Sequence, residues 1–281
     1  MKQGERITTV IAPLDGTAAA MSAMPVARTM ATLAGATLRL VHVVEQAEPA
    51  GRIEARVAAG VEDLRGAVVD RLAGTPAPAI VRAASEREGT LIVMCAYTGP
   101  RTPPRGLGSV AEAVLLDGRH PVLLVQATRG NRPWQLRRVL LPQDGTPTTA
   151  RALGPSITLT ERAGAELVVL HVAAPGVVPS AEPGSLGAPT YQDQPQHEWP
   201  AWRREFLHRV RCLCSLPLRA RLELALAQGD PGAEIVRFAA QREADLIVMS
   251  WRGSLEPRRA AALKTVIIEA PCPVLVLPHQ D

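Results

Sequence analysis

Aromatic residues are scarce: two Phe, two Tyr and four Trp among 281 residues, or 3%. Any core must therefore be built from Ala, Val, Leu and Ile, and no row of exposed rings is on hand to stack nucleic-acid bases. Lysine occurs only at positions 2 and 264, so the net charge of +4 rests on arginines interleaved with acids. No run of five like charges marks a nucleic-acid surface. The four cysteines, Cys95, Cys212, Cys214 and Cys272, form neither C-x-x-C nor a zinc spacing, which reads as free thiols in a reducing compartment with no metal required. No stretch of about 18 apolar residues occurs, because Arg28 and Arg39 interrupt the richest one, and the approach to Asp15 has no leader-like apolar region. The expectation is a cytoplasmic protein with neither membrane nor nucleic acid as partner. Also missing are a G-x-S-x-G elbow, H-E-x-x-H, a Walker loop and G-x-G-x-x-G, which weighs against a turnover enzyme.

What is present is a duplication. Val10 to Val43 returns as Val139 to Val172 at a constant offset of 129 residues: Asp15-Gly16-Thr17 matches Asp144-Gly145-Thr146, Ala34-Gly35-Ala36 matches Ala163-Gly164-Ala165, and His42-Val43 matches His171-Val172. Ile80 to Met94 returns as Ile235 to Met249 at an offset of 155, and Pro121-Val122-Leu123 returns as Pro273-Val274-Leu275. Matching blocks in one order over most of the chain mean two copies of one fold. The expected domains are 1–128 and 137–281, joined by a linker from Ala127 to Trp134.

Within each copy the patterns alternate between buried strand and helix. Ile7–Leu14 is a β-branched apolar run that exits into Asp-Gly-Thr, as a parallel strand does. Thr17–Leu33 has helical spacing, with Pro25 to bend or start it and Gly35 to cap it. Thr37–Val44 is the second strand. Val57, Val61, Leu64, Val68 and Leu72 share a helical face, so a helix is expected over Glu54–Leu72. Further strands are expected at Leu91–Ala96 and Pro121–Val125. Helices are expected at Ala79–Arg87 and from Gly108-Ser109-Val110 to about Leu116. In the second copy Ala174–Pro200, with six prolines and three glycines, reads as an extended mobile loop, followed by a helix Trp202–Leu213. Leu222, Leu224 and Leu226 then alternate as a strand with no counterpart in the first copy. The expectation is α/β: two tandem open parallel sheets, five strands in the second and four in the first.

Together these motifs resemble the universal stress protein family in tandem form. The first strand ends in Asp-Gly-Thr, a Pro sits in the first helix, and Ala-Gly-Ala precedes a strand ending in His-Val. Asp245-Leu246-Ile247-Val248-Met249, a Gly-Ser-Val helix start and Pro271-Cys272-Pro273-Val274-Leu275-Val276 complete the set. The resemblance implies the universal stress protein or adenine nucleotide hydrolase-like fold with sheet order 3-2-1-4-5, the first copy lacking the edge strand 3. It also implies a pseudo-dimer of the two halves through their last strands, with a homo-oligomer or a protein partner as further assemblies.

Some members of that family bind ATP through G-x-x-G, nine residues, then G-S/T. Carried over, the site for ATP or AMP falls in the first copy on Asp15, Val43, Cys95, Thr98, Gly108, Ser109 and Val110. Cys95 and Thr98 stand where the first two glycines belong, and Pro100, Pro103 and Pro104 remove donors, so binding there is expected to be weak. The second copy has a loop three residues shorter and Ala260-Ala261 in place of Gly-Ser. Asp15 and Asp144 also make an Asp-Gly turn without any ligand, Ser109 caps a helix as readily as it meets a phosphate, and His42 and His171 read as core histidines. A stress-response binding or regulatory module is expected, with an adenine-nucleotide sensor controlling partner assembly, or a slow nucleotide-hydrolysing enzyme, as alternatives.

Overall fold

A computed structural model describes residues 6–44, 67–97, 106–127, 132–173, 222–251 and 257–278, with 257–260 by backbone alone. The Pro-rich stretch 174–200, the expected helix 202–213, residues 54–66 and loop positions 98–105 lie outside the described residues. In chain order the first copy contains β1 (Thr9–Pro13), α1 (Ala18–Met21), α2 (Met24–Ala34), β2 (Thr37–Val44), β3 (Ala67–Ala73), α3 (Pro76–Ser85), β4 (Thr90–Cys95), α4 (Ser109–Asp117) and β5 (Val122–Val125). The second contains β6 (Arg138–Gln143), α5 (Pro147–Ala150), α6 (Leu153–Ala163), β7 (Glu166–Ala173), β8 (Leu222–Gln228), α7 (Pro231–Gln241), β9 (Leu246–Trp251), α8 (Pro257–Glu269) and β10 (Val274–Pro278).

Local chemistry sets the helix ends. Thr17 caps α1 by accepting from the Ala20 amide, and Pro25 stands in the first turn of α2, where its missing N–H costs nothing, so it starts that helix. Gly35 closes α2 in the left-handed region at φ 61°, its N–H reaching the Ala31 and Thr32 carbonyls. Asp230 caps α7 by accepting from the Ala233 amide.

All strands among the described residues belong to one ten-stranded sheet of order β3-β2-β1-β4-β5-β10-β9-β6-β7-β8. Every pairing is parallel except β5 with β10. Each copy thus has the order 3-2-1-4-5, and the two sheets join through their last strands. At that seam Val274 pairs with Leu124, Leu275 with Leu123 and Val276 with Val122. Leu275 is the repeat counterpart of Leu123, so an approximate two-fold axis passes between them. Apolar edges that would otherwise invite aggregation cover each other.

One expectation is corrected. The first copy does not lack its edge strand: β3 pairs with β2 over seven residues, from Leu38↔Ala67 to Val44↔Ala73, so residues 67–72 are strand and not the end of a helix. An edge strand with one neighbour need not alternate, and Val68 and Val69 are 47% and 37% exposed. The helical spacing of Val68 and Leu72 was therefore coincidental, and the ladder overrides it.

The core has two layers, one on each face of the sheet. One packs Val10, Ala12, Leu40, Val93, Leu141 and Val169 under α1, α2 and α6. The other packs Ile11, Val41, Ile92, Leu124, Val168 and Ile247 under α3, α4, α7 and α8. Each layer runs through both copies. Trp134, expected in the linker, is buried at 5% exposure, donates from Nε1 to the Asp245 carbonyl (3.2 Å) and accepts at its own carbonyl from Thr29 Oγ1 (3.0 Å).

Candidate functional site

In an open α/β sheet, ligands enter at the carboxyl ends of the strands where the chain reverses its winding direction. In the first copy that place is between β1 and β4, and the turn after β1 is built by Asp15. Its Oδ1 accepts from Thr17 N (2.9 Å) and Thr17 Oγ1 (2.6 Å), and Gly16 takes φ 80°. Asp15 is exposed and makes the turn at the carboxyl end of β1. Asp144 builds the same turn more tightly: its Oδ1 accepts from Thr146 N (3.0 Å), Thr146 Oγ1 (2.6 Å) and Thr149 Oγ1 (2.7 Å).

Cys95 closes β4 and is buried, with Ser22 Oγ 3.8 Å from its sulfur and its thiol directed at the Tyr97 carbonyl (3.1 Å). Burial pushes its pKa above the ordinary thiol value and the Asp15 charge adds to that, which favours the thiol over the thiolate. Gly108 is the N-cap of α4, and its N–H donates to the Ala96 carbonyl (2.8 Å). A Cβ there would lie 3.4 Å from that oxygen and 3.6 Å from Tyr97 Cα. The first intrahelical bond joins Glu112 N to Gly108 O (2.8 Å), so the N–H groups of Ser109, Val110 and Ala111 precede it, as at any helix start. Ser109 is exposed, Val110 half-buried, and Val43 is a half-buried residue of β2 paired with Leu72. Thr98 lies outside the described residues.

The second crevice differs in one decisive respect. Helix α8 starts at Pro257, so Ala261, the counterpart of Ser109, is inside it by four residues. Amides at that depth bond to the carbonyls four residues back and are spent. The two histidines are structural: His42 Nδ1 meets the Leu14 carbonyl (2.7 Å) and His171 Nδ1 the Gln143 carbonyl (2.9 Å). A carbonyl only accepts, so Nδ1 carries the proton in each ring.

Sequence reasoning missed Ser22 and Tyr97, which line the end of β4. It also missed Gln143, whose Nε2 donates to Thr149 O (2.6 Å) while its Oε1 is buried without a partner. None of these carries a motif. Among the described residues no group of three His, Cys, Asp or Glu could hold a metal ion, and no helix is long and apolar enough to cross a membrane.

Two doubly wound sheets, joined edge to edge and each with a crevice at its strand carboxyl ends, define a tandem α/β class. The model of the universal stress protein family matches residues 6–126 and again 135–278, and the chain belongs to that family. It is 30% identical over 148 residues to a universal stress protein of Thermus aquaticus, covering 50% of this chain and 98% of that one. A universal stress protein of Methanocaldococcus jannaschii is 26% identical over 147 residues, covering 50% of this chain and 81% of its own. The solved universal stress protein of Archaeoglobus fulgidus covers 98% of this chain and 100% of its own with a TM-score of 0.69 at 19% identity, a likeness of fold.

Proposed function

We propose that this chain is a cytoplasmic stress-response binding or regulatory module whose first copy takes an adenine nucleotide, ATP or AMP, weakly, and whose halves, 1–128 and 137–281, work as an intramolecular pair. The observation that carries this reading is the start of α4: three amides precede the first helical bond beside the Asp15 turn, whereas the matching amides of α8 lie inside their helix. Unpaired N–H groups and the helix dipole favour a phosphate there. Gly108 N–H is already given to Ala96, which leaves the site one donor short and supports weak binding. The raised pKa of the buried Cys95, which disfavours a thiolate, supports binding over turnover.

The test is calorimetric titration of ATP and AMP into the full chain. Wild type should bind weakly. Asp15→Ala should reduce affinity by about tenfold or more, the loss of roughly 1.4 kcal/mol, and Asp144→Ala should leave it unchanged. Binding that survives Asp15→Ala and vanishes in Asp144→Ala assigns the site to the other half. Wild type that binds neither nucleotide leaves a module without nucleotide.

A further inference from the structure

The opposite end of the sheet holds a cavity of ≈ 150 Å³ in the first copy, lined by Thr9, Thr37, Arg39, Val68 and Arg87. It lies at the amino ends of β1 and β2, with Arg87 just past α3, and six residues of extended chain separate Thr9 from Asp15, roughly 20 Å. Arg39 donates from Nε to Asp70 Oδ2 (2.6 Å), and its side chain is only 18% exposed. The hydrogen bond to Asp70, first, and the Asp70 and Glu86 charges, against burial, hold the Arg39 pKa above its ordinary value, so the guanidinium is charged. Glu86 is exposed beyond α3 and acts through solvent. Among the described residues Arg87 has no acidic partner, and the Thr9 hydroxyl belongs to a residue 5% exposed.

The second copy fills the corresponding place with ion pairs. The ladder puts Arg138 opposite Glu166 where the first copy has Thr9 opposite Thr37, and Val168 opposite Glu223 where it has Arg39 opposite Val68. Arg242 is the counterpart of Arg87. There two arginines meet two glutamates: Arg138 Nε donates to Glu166 (2.8 Å), Arg242 pairs with Glu223, and Arg138 also donates to the Arg242 carbonyl. The first copy keeps two arginines, but Thr37 and Val68 stand in place of both glutamates, and Asp70 supplies one carboxylate, to Arg39. The acid opposite Arg87 is missing.

We propose that this cavity is an oxyanion site that takes a phosphate group, either the free ion or the end of a small molecule. The anion sits where Glu223 sits in the second copy. Two arginines and two threonines line one cavity, a donor set that suits an ion with three or more acceptor oxygens better than a flat carboxylate. The site is independent of the nucleotide reading, being on other strands' ends and other side chains.

The experiment titrates inorganic phosphate, and separately glycerol phosphate, into the full chain at low ionic strength, following amide shifts by NMR and affinity by calorimetry. Shifts should centre on Thr9, Thr37 and Val68, not on Asp15 to Thr17 or Ser109 to Ala111. Val68→Glu transplants the acid of the second copy, which that copy shows the fold accommodates; it should keep the wild-type melting temperature and lose phosphate by about tenfold or more, as loss of a charge-assisted contact does. Arg87→Gln should lose it similarly. Equal affinity for both probes assigns the free ion, and tighter binding of glycerol phosphate assigns the end group. The proposal is overturned if wild type binds neither, if Val68→Glu binds as wild type does, or if the shifts centre on the crevice.

Discussion

The two histidines at strand ends are the clearest residue-level devices. In both copies the ring of the second strand clasps the carbonyl that ends the first, through a protonated Nδ1. Burial, first, pulls the His171 pKa below its ordinary value against the opposing pull of the Gln143 carbonyl and the Asp144 charge. His120, where burial is again the largest cause, shifts the same way. The folded state therefore binds fewer protons than the unfolded chain. Stability from these groups is fully present above the unfolded value of about 6.5 and is lost as pH falls through it towards the folded values. Urea unfolding followed from about pH 7.5 down to about pH 5 should show falling stability, and His171→Gln should flatten that fall. A variant with the wild-type slope would remove His171 from the account.

Among the elements, helix starts and the segment between the copies decide most. Asp230→Ala takes the oxygen that accepts from the Ala233 amide (3.0 Å), and should cost about 1 kcal/mol in chemical denaturation. Trp134 is a heavier anchor, since it ties the entry of β6 to α2 and to the residue before β9. Trp134→Ala should cost about 3–5 kcal/mol by the same measurement, and a loss below about 1 kcal/mol, typical of surface sites, would mean that the segment is a passive tether. The edge strand β3 belongs to this scale too: seven ladder positions on β2 hold residues that are half or fully exposed, so backbone pairing and not side-chain burial keeps it in the sheet.

For the molecule as a whole, the seam at Leu123 and Leu275 is the organising contact, since both core layers continue across it. Residues 1–128 expressed alone would expose β5, four fully buried apolar residues with no neighbour on one side. That fragment should dimerise through β5, each copy supplying what β10 supplies in the full chain. Light scattering that finds a folded monomer would show that the seam is dispensable. Among the described residues of the intact chain the open sheet edges are β3 and β8.

The pairing of the last strands came as what the family resemblance implies, whereas the sequence by itself determined the duplication, the buried strands and their alternation with helices, and the cap at Gly35. Each of these is written in local period, in turn chemistry or in repetition of residues at a fixed offset, and needs no distant partner to be read. It also singled out Asp15 and Gly108-Ser109, which the structure sets in the turn after β1 and at the start of α4. Tertiary structure alone decided the rest. Residues 67–73 have spacing compatible with a helix, and only the neighbouring β2 makes them a strand. Trp134 reads as linker until the pocket that buries it is assembled from both copies. Ala260-Ala261 reads as a substituted helix start, yet α8 begins a turn earlier and takes those amides inside. The charge balance around Arg87 depends on which residues the ladders set opposite each other, since Val68 and Glu223 are equivalent only through their registers. Local pattern specifies which face of an element is buried; edges, ends and charge partners depend on residues brought near from far along the chain.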